Sequence, residues 1–202
     1  MHLTLHRRII NHAELVIILI LSYILGINFV IRYLRNPNPA LSIKIIRYYG
    51  GEIGKNTTLK RSIQFDNVMT NEGGSGNFNN LKIGNNVYVG DCVYFDLADK
   101  IIIEDDITIS SHCKFITHQN CENSVKLSRK FKIKKKRVLI KSGTWLTTGV
   151  GIFYSIINEN SLVSAGINII DNEIPSNVII RKNKKSQFEI ITYEKSNKVS
   201  KR

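Results

Sequence analysis

Lys82–Ser110 reads KIGNNVYVGDCVYFDLADKIIIEDDITIS, and its apolar residues fall on a six-residue beat. Ile83, Val89 and Phe95 form one triplet, and Ile103, Ile109 and Phe115 form the next. Outward from this stretch the beat continues. Ile53, Leu59 and Phe65 precede it; Ile140, Leu146, Ile152 and then Ile157, Val163, Ile169 follow. Four positions after each of the first two members sits a small or β-branched residue: Thr57 and Ile63, Val87 and Val93, Ile107 and Cys113, Thr144 and Val150, Ser161 and Ile167. Turn formers fill the gaps, as in Gly54-Lys55-Asn56, Gly84-Asn85-Asn86, Glu104-Asp105-Asp106 and Asn158-Glu159-Asn160. Six residues make one short strand and one turn. Three such units close a triangular coil whose six-spaced residues point inward and stack on the coil above. Asn and Asp at the corners tolerate the left-handed backbone that tight turns need. An amphipathic helix needs spacings of three and four, which are not sustained, and a flat sheet of period two does not explain the regular turn residues. The fold class is therefore all-β, a parallel β-helix of hexapeptide repeats.

Breaks in the beat mark excursions. Between Phe65 and Ile83 lies Asn71-Glu72-Gly73-Gly74-Ser75-Gly76, which is no strand. Phe95 to Ile103 gains two residues, and Ile152 to Ile157 is one residue short. The longest excursion is a loop at 118–137. A coil that touches only its neighbours accommodates such loops. The division that follows is an N-terminal segment and linker (1–40), the β-helix (41–183) and a basic C-terminal tail (184–202).

The chain has 202 residues, with 29 Lys and Arg against 16 Asp and Glu, a net charge of +13. Such a charge attracts anionic partners. Few aromatics interleave the basic runs, which argues against nucleic acid. Three cysteines at irregular spacing exclude a disulfide framework and, with no Cys-x-x-Cys, a thiolate zinc site. Leu15–Ile31 reads LVIILILSYILGINFVI, apolar nearly all round and flanked by Arg7, Arg8, Arg32 and Arg35. Its length is near the lower end for a bilayer span, and no small-x-small cleavage site follows. The segment is expected to anchor the chain to a membrane, on its cytoplasmic side, with spanning and interfacial placements both open. The two X-Pro steps of Asn36-Pro37-Asn38-Pro39 end the helix and stiffen the joint. Leu41–Tyr49 is a short amphipathic helix or strand leading into the coils.

The repeats, FITHQN (Phe115–Asn120), SGTWLTTGVGI (Ser142–Ile152), SLVSAG (Ser161–Gly166) and IPSNVII (Ile174–Ile180) resemble the hexapeptide-repeat acyltransferases. The likeness is greatest to O-acetyltransferases of polysaccharide and lipopolysaccharide sugars. It covers about Tyr48 to Asn183. It implies a left-handed coil, a homotrimer with sites between neighbouring β-helices, acetyl-CoA or another acyl-CoA as co-substrate, and no metal. The expected activity is acetyl transfer to a hydroxyl of a cell-surface sugar.

That transfer needs a base, because a sugar hydroxyl hardly ionises at neutral pH; a histidine with a pKa of about 6.5 suits the task. Of five histidines, His2, His6 and His12 precede the apolar segment, and His112 sits at a coil corner. His118 stands three residues after Phe115, where the chain leaves the coil, and the family pattern places its catalytic base there. Asp96, on the coil below, has two readings: a carboxylate that steers the imidazole or faces the acceptor, or a turn cap. Asn120 is expected to contact the acceptor sugar or a neighbouring subunit. Trp145 precedes the inward Leu146 and so points outward; the resemblance assigns it to the wall of the acyl-CoA tunnel, although core filling is the commoner use of tryptophan. Thr147, Ser164, Ala165 and Gly166 match positions whose backbone lines the pantetheine arm. Arg181, Lys182, Lys184 and Lys185 are candidates for the CoA phosphates, or else part of a solvated basic tail.

Three departures from the family pattern fall in the donor-binding half: Phe153-Tyr154-Ser155 in the shortened turn, Asp171-Asn172 before Ile174-Pro175, and Lys182–Ser186 at the end. They leave a second reading beside the first, a degenerate β-helix trimer acting as a binding or scaffolding module. A metal hydrolyase of the gamma carbonic anhydrase kind needs three histidines across an interface, and only His112 and His118 lie in the repeat. Cys121 near His118 suggests a thiol nucleophile, but no third orienting group accompanies it. Cys113 takes an inward position and reads as a small core residue.

Overall fold

A computed structural model describes residues 5–122, 124–183 and 188–193. Three parallel ladders run the length of the molecule and make the sides of a prism. The first face carries Glu52–Ile53, Leu81–Ile83, Ile101–Ile103, Val138–Ile140, Ile156–Ile157 and Glu173–Ile174. The second carries Thr58–Leu59, Tyr88–Val89, Thr108–Ile109, Trp145–Leu146, Leu162–Val163 and Val178–Lys182. The third carries Gln64–Asp66, Tyr94–Asp96, Lys114–Ile116, Gly151–Phe153 and Asn168–Ile170. The register is that of the six-residue beat. Ile53, Ile83, Ile103, Ile140, Ile157 and Ile174 stack in one column. Phe65, Phe95, Phe115, Ile152 and Ile169 stack in another.

The columns are the core. Phe95 and Phe115 are wholly buried and their rings stack at 5.2 Å, with Phe65 on Phe95 at 5.6 Å. Phe78, returned by the first excursion, meets Phe65 edge-on and helps close the lower end. Small polar residues in the interior bond to the coil above: the Thr57 hydroxyl donates to Gly84 O at 2.7 Å, and Ser161 to Pro175 O at 3.0 Å. The corners hold the left-handed residues. Asn56, Asn86, Asp106 and Asn160 have φ of 55°, 55°, 59° and 53° at the corner between the first and second faces. Their side chains also bond along the corner: the Asn56 amide donates to Asn86 at 3.2 Å and the Asn86 amide to Asp106 at 2.9 Å. Cys92, His112, Gly149 and Gly166 occupy the matching place between the second and third faces.

Three helices close the base: α1 (Leu5–Leu25), α2 (Ile27–Tyr33) and α3 (Ser42–Tyr48). The apolar segment 15–31 is thus not one helix. Gly26, at φ 77°, ends α1 and starts α2, a conformation that costs a residue with a side chain more than it costs glycine. Of the two options for 41–49, the chain takes the helix, which buries Ile45 and Ile46 against the first coil.

The β structure also runs past residue 183. Phe188–Thr192 pairs antiparallel with Val178–Lys182, so this part of the expected tail is a strand that covers the open edge of the second face. Residues 184–187, with Lys184 and Lys185, and residues 194–202 lie outside the described residues.

Candidate active site

The third face leaves its coil at Ile116, and Thr117 and His118 follow as the chain enters the long loop. Residues His118–Gln119 pair antiparallel with Lys134–Lys135, so the loop begins and ends as a narrow hairpin. This pairing holds the backbone of His118 at the mouth of the excursion.

Below it stands Asp96, with 1% of its side chain exposed. Oδ2 accepts the Thr117 N–H at 2.8 Å and the His118 N–H at 3.0 Å, and lies 2.6 Å from His118 Nδ1. Oδ1 accepts the Asn67 amide at 2.8 Å and the Ala98 N–H at 3.2 Å. The two oxygens divide the contacts: Oδ1 caps a turn and Oδ2 holds the imidazole. Burial, the largest single influence, pushes the carboxyl's pKa up. The His118 hydrogen bond, the Thr117 amide, the His118 charge and the Asn67 amide together outweigh it, and the net shift is downward. Asp96 is thus ionised at neutral pH and only accepts hydrogen bonds. His118 Nδ1 must carry a proton towards it, which leaves Nε2 of a neutral ring as the acceptor. The His118 side chain is 23% exposed, so the ring is partly open to solvent.

Asn67 was not among the residues singled out by sequence. The signal was available: Phe65 stacks under Phe95, so Asp66 sits under Asp96 and Asn67 follows it into the corner. Thr117 was missed likewise; it is wholly buried and its hydroxyl reaches the Asp96 carbonyl oxygen at 2.8 Å.

The remaining predicted residues lie elsewhere. Asn120 is exposed and bonds locally, accepting the Glu122 N–H at 2.7 Å. Trp145 projects outward from the second face, 48% exposed, its Nε1–H donating to Ser110 Oγ at 3.3 Å. Thr147, Ser164, Ala165 and Gly166 form the corner between the second and third faces. There Thr147 Oγ1 donates to Val163 O at 2.8 Å, and Gly149 and Gly166 both have positive φ. Arg181 is paired with Glu189 at 3.0 Å, and Lys182 lies 5.9 Å from the Phe188 ring centroid. Among the described residues no hydrogen bond joins any of these to His118. The corner holding Thr147 and Ser164–Gly166 and the imidazole stand at opposite margins of the third face. Between them a cleft of about 640 Å³ is lined in part by Tyr94, His112, Lys114, Ile116 and Phe153.

Cys92 also lines this cleft, while the other two thiols bond elsewhere. Burial pushes the Cys113 pKa up to about 11, and its S–H donates to Thr147 O at 3.2 Å. Cys121 donates to Phe131 O at 3.2 Å rather than to His118. No group of three or more His, Cys, Asp or Glu placed to hold a metal ion occurs among the described residues.

No model of a known protein family matches the chain, and no curated protein matches it in sequence. Solved structures do match in shape. A hexapeptide-repeat-containing acetyltransferase of Vibrio cholerae, complexed with acetyl coenzyme A, superposes with a TM-score of 0.64 at 14% identity, over 80% of this chain and 82% of that one. A galactoside acetyltransferase in complex with coenzyme A gives 0.61 at 18% identity, over 74% and 71%. A maltose O-acetyltransferase of Clostridium difficile gives 0.54 at 18% identity, over 81% and 82%. The stacked triangular coils found from the six-residue beat are thus the fold of the hexapeptide-repeat acetyltransferases.

Proposed function

We propose that the protein is an acyltransferase that moves an acyl group, acetyl in the simplest case, from coenzyme A to a sugar hydroxyl. The observation that carries the reading is the Asp96–His118 pair, a buried carboxylate holding a half-buried imidazole by its Nδ1. The acceptor hydroxyl approaches Nε2, and its proton passes to the ring as its oxygen attacks the thioester carbonyl. Asp96 stabilises the imidazolium that results. The tetrahedral centre collapses with loss of the C–S bond, and the departing thiolate takes the proton back from His118. Transfer is direct and uses no enzyme nucleophile.

Acyl-CoA as donor and sugar as acceptor are supported by the names of proteins that share the fold: a complex with acetyl coenzyme A, and acetyltransferases of galactoside and maltose. A cell-surface polysaccharide or lipopolysaccharide sugar is the acceptor we favour, from the resemblance of the repeats and the loop-opening histidine. The separation of His118 from the Trp145, Thr147 and Ser164–Gly166 row supports a homotrimer. A donor lying along that row meets the imidazole most simply when a neighbouring copy supplies one of the two. The test is thiol release from acetyl-CoA with extracted cell-surface glycans as acceptor. Release that disappears in His118→Ala while the oligomer persists supports the reading. A chain that binds no coenzyme A overturns it in favour of the scaffold.

A further inference from the structure

Helix α1 is held to the base of the molecule by one stripe of its surface. Asn11, Glu14, Ile18 and Ser22 recur at spacings of three and four, which puts them on one helical face. The Asn38 amide donates to Asn11 Oδ1 at 3.0 Å and to Glu14 Oε2 at 2.7 Å, and the Tyr33 hydroxyl donates to Glu14 Oε1 at 2.8 Å. Ile18 and Ser22 are buried, and the Ser22 and Tyr49 hydroxyls bond to one another. Helix α1 has the length and composition to cross a membrane. Crossing takes about 20 residues of apolar helix in hydrocarbon. That would carry Asn38, Tyr33 and the first coil into the bilayer with it, because the stripe binds them along most of its length.

The opposite face is apolar and has no partner within the chain. Ile9, Val16, Ile17, Ile20, Tyr23 and Ile24 are all exposed there, and between Ile9 and Ile24 the face carries no Asp, Glu, Lys or Arg. Its length is about 22 Å at the usual helical rise. Along one margin, where α1 meets α3, lies a pocket of about 530 Å³ lined by Arg8, Asn11, His12, Ala40 and Lys44. Neither Arg8 nor Lys44 has an acidic partner among the described residues.

We propose that this face lies in the plane of an anionic bilayer surface, its apolar side chains among the acyl chains and Arg8 and Lys44 on lipid phosphates. Charge decides the occupant. A second copy docked on this face would bring its own Arg8 and Lys44 to it, cation against cation, whereas an acidic lipid surface brings the opposite sign. A helix packed along one side and apolar along the other, with cations at the margin, is built to lie at an interface.

The test is sedimentation of the full-length chain with vesicles of phosphatidylcholine and phosphatidylglycerol at three to one, and of phosphatidylcholine alone. Binding to the anionic vesicles is expected, at least about tenfold tighter than to the neutral ones, as two cations near an acidic surface imply. The double variant Ile17→Ser, Ile20→Ser should lose about tenfold or more by removing apolar burial. Arg8→Glu with Lys44→Glu should lose the preference for acidic lipid. All four positions are exposed, and unchanged thermal melting confirms that each variant is folded; Tyr23→Asp alone is the fallback. Four results overturn the proposal: a chain left in the supernatant, serine variants that bind like the parent, a soluble oligomer that the serine variants dissolve, or protection of α1 from protease on both vesicle faces. Vesicle binding is read without coenzyme A or acceptor, so this proposal and the acyltransferase reading fail separately.

Discussion

A single carboxylate oxygen, Asp96 Oδ2, grips His118 twice, at the backbone N–H at 3.0 Å and at ring Nδ1 at 2.6 Å. Two bonds from one oxygen to one residue leave the imidazole little freedom about χ1 and χ2. The orientation and the tautomer are set together, before any ligand arrives.

Replacing His118 with Ala removes the base. Turnover of acetyl-CoA with acceptor should fall by about 10³-fold or more, within the span that positioned acid–base groups contribute with their electrostatic partners. The Asp96→Asn variant keeps the shape but presents an amide to Nδ1, so kcat should fall by roughly 10²-fold while the KM for acetyl-CoA stays close to that of the parent. Steady-state kinetics in both substrates checks both outcomes.

The depressed Asp96 pKa gives a pH dependence of stability with a definite sign. The folded carboxyl holds its proton more weakly than the unfolded one, whose pKa is about 3.9. The unfolded chain therefore takes up the extra proton. The contribution is complete above the unfolded value and is lost as pH falls through the lower, folded one. Urea midpoints measured downward from pH 5 should drop more steeply for the parent than for Asp96→Asn.

Asn67→Ala leaves Asp96 Oδ1 with one donor fewer in a buried place. The expected cost is about 1–2 kcal/mol of folding stability, with a several-fold loss of kcat as the carboxylate gains freedom. A denaturant titration beside a rate assay separates the two effects.

Phe95 sits between Phe65 and Phe115 with no exposed surface. Phe95→Ala opens a cavity in the middle of the column and should cost about 3–5 kcal/mol. Trp145→Ala, at an exposed site, should leave the melting temperature within a few degrees. On the donor reading it should raise the KM for acetyl-CoA by about tenfold. Calorimetry and kinetics on this pair of variants distinguish a core aromatic from a ligand-facing one.

The sequence by itself determined the prism. Ile83, Val89 and Phe95 are six apart because one strand and one corner use six residues, and every coil repeats the same local rule. The column register therefore follows without any knowledge of the loops. The same local logic placed Trp145 outside and Cys113 inside. Only the tertiary structure decided what the excursions and the ends do. Nothing in the spacing says that Phe188–Thr192 returns along the second face, or that α1 lies against Asn38 and Tyr33. Those contacts join residues whose separation obeys no period. They form because an open strand edge needs a partner and the stripe from Asn11 to Ser22 needs a surface. Such demands are met in space, and the chain order does not record where.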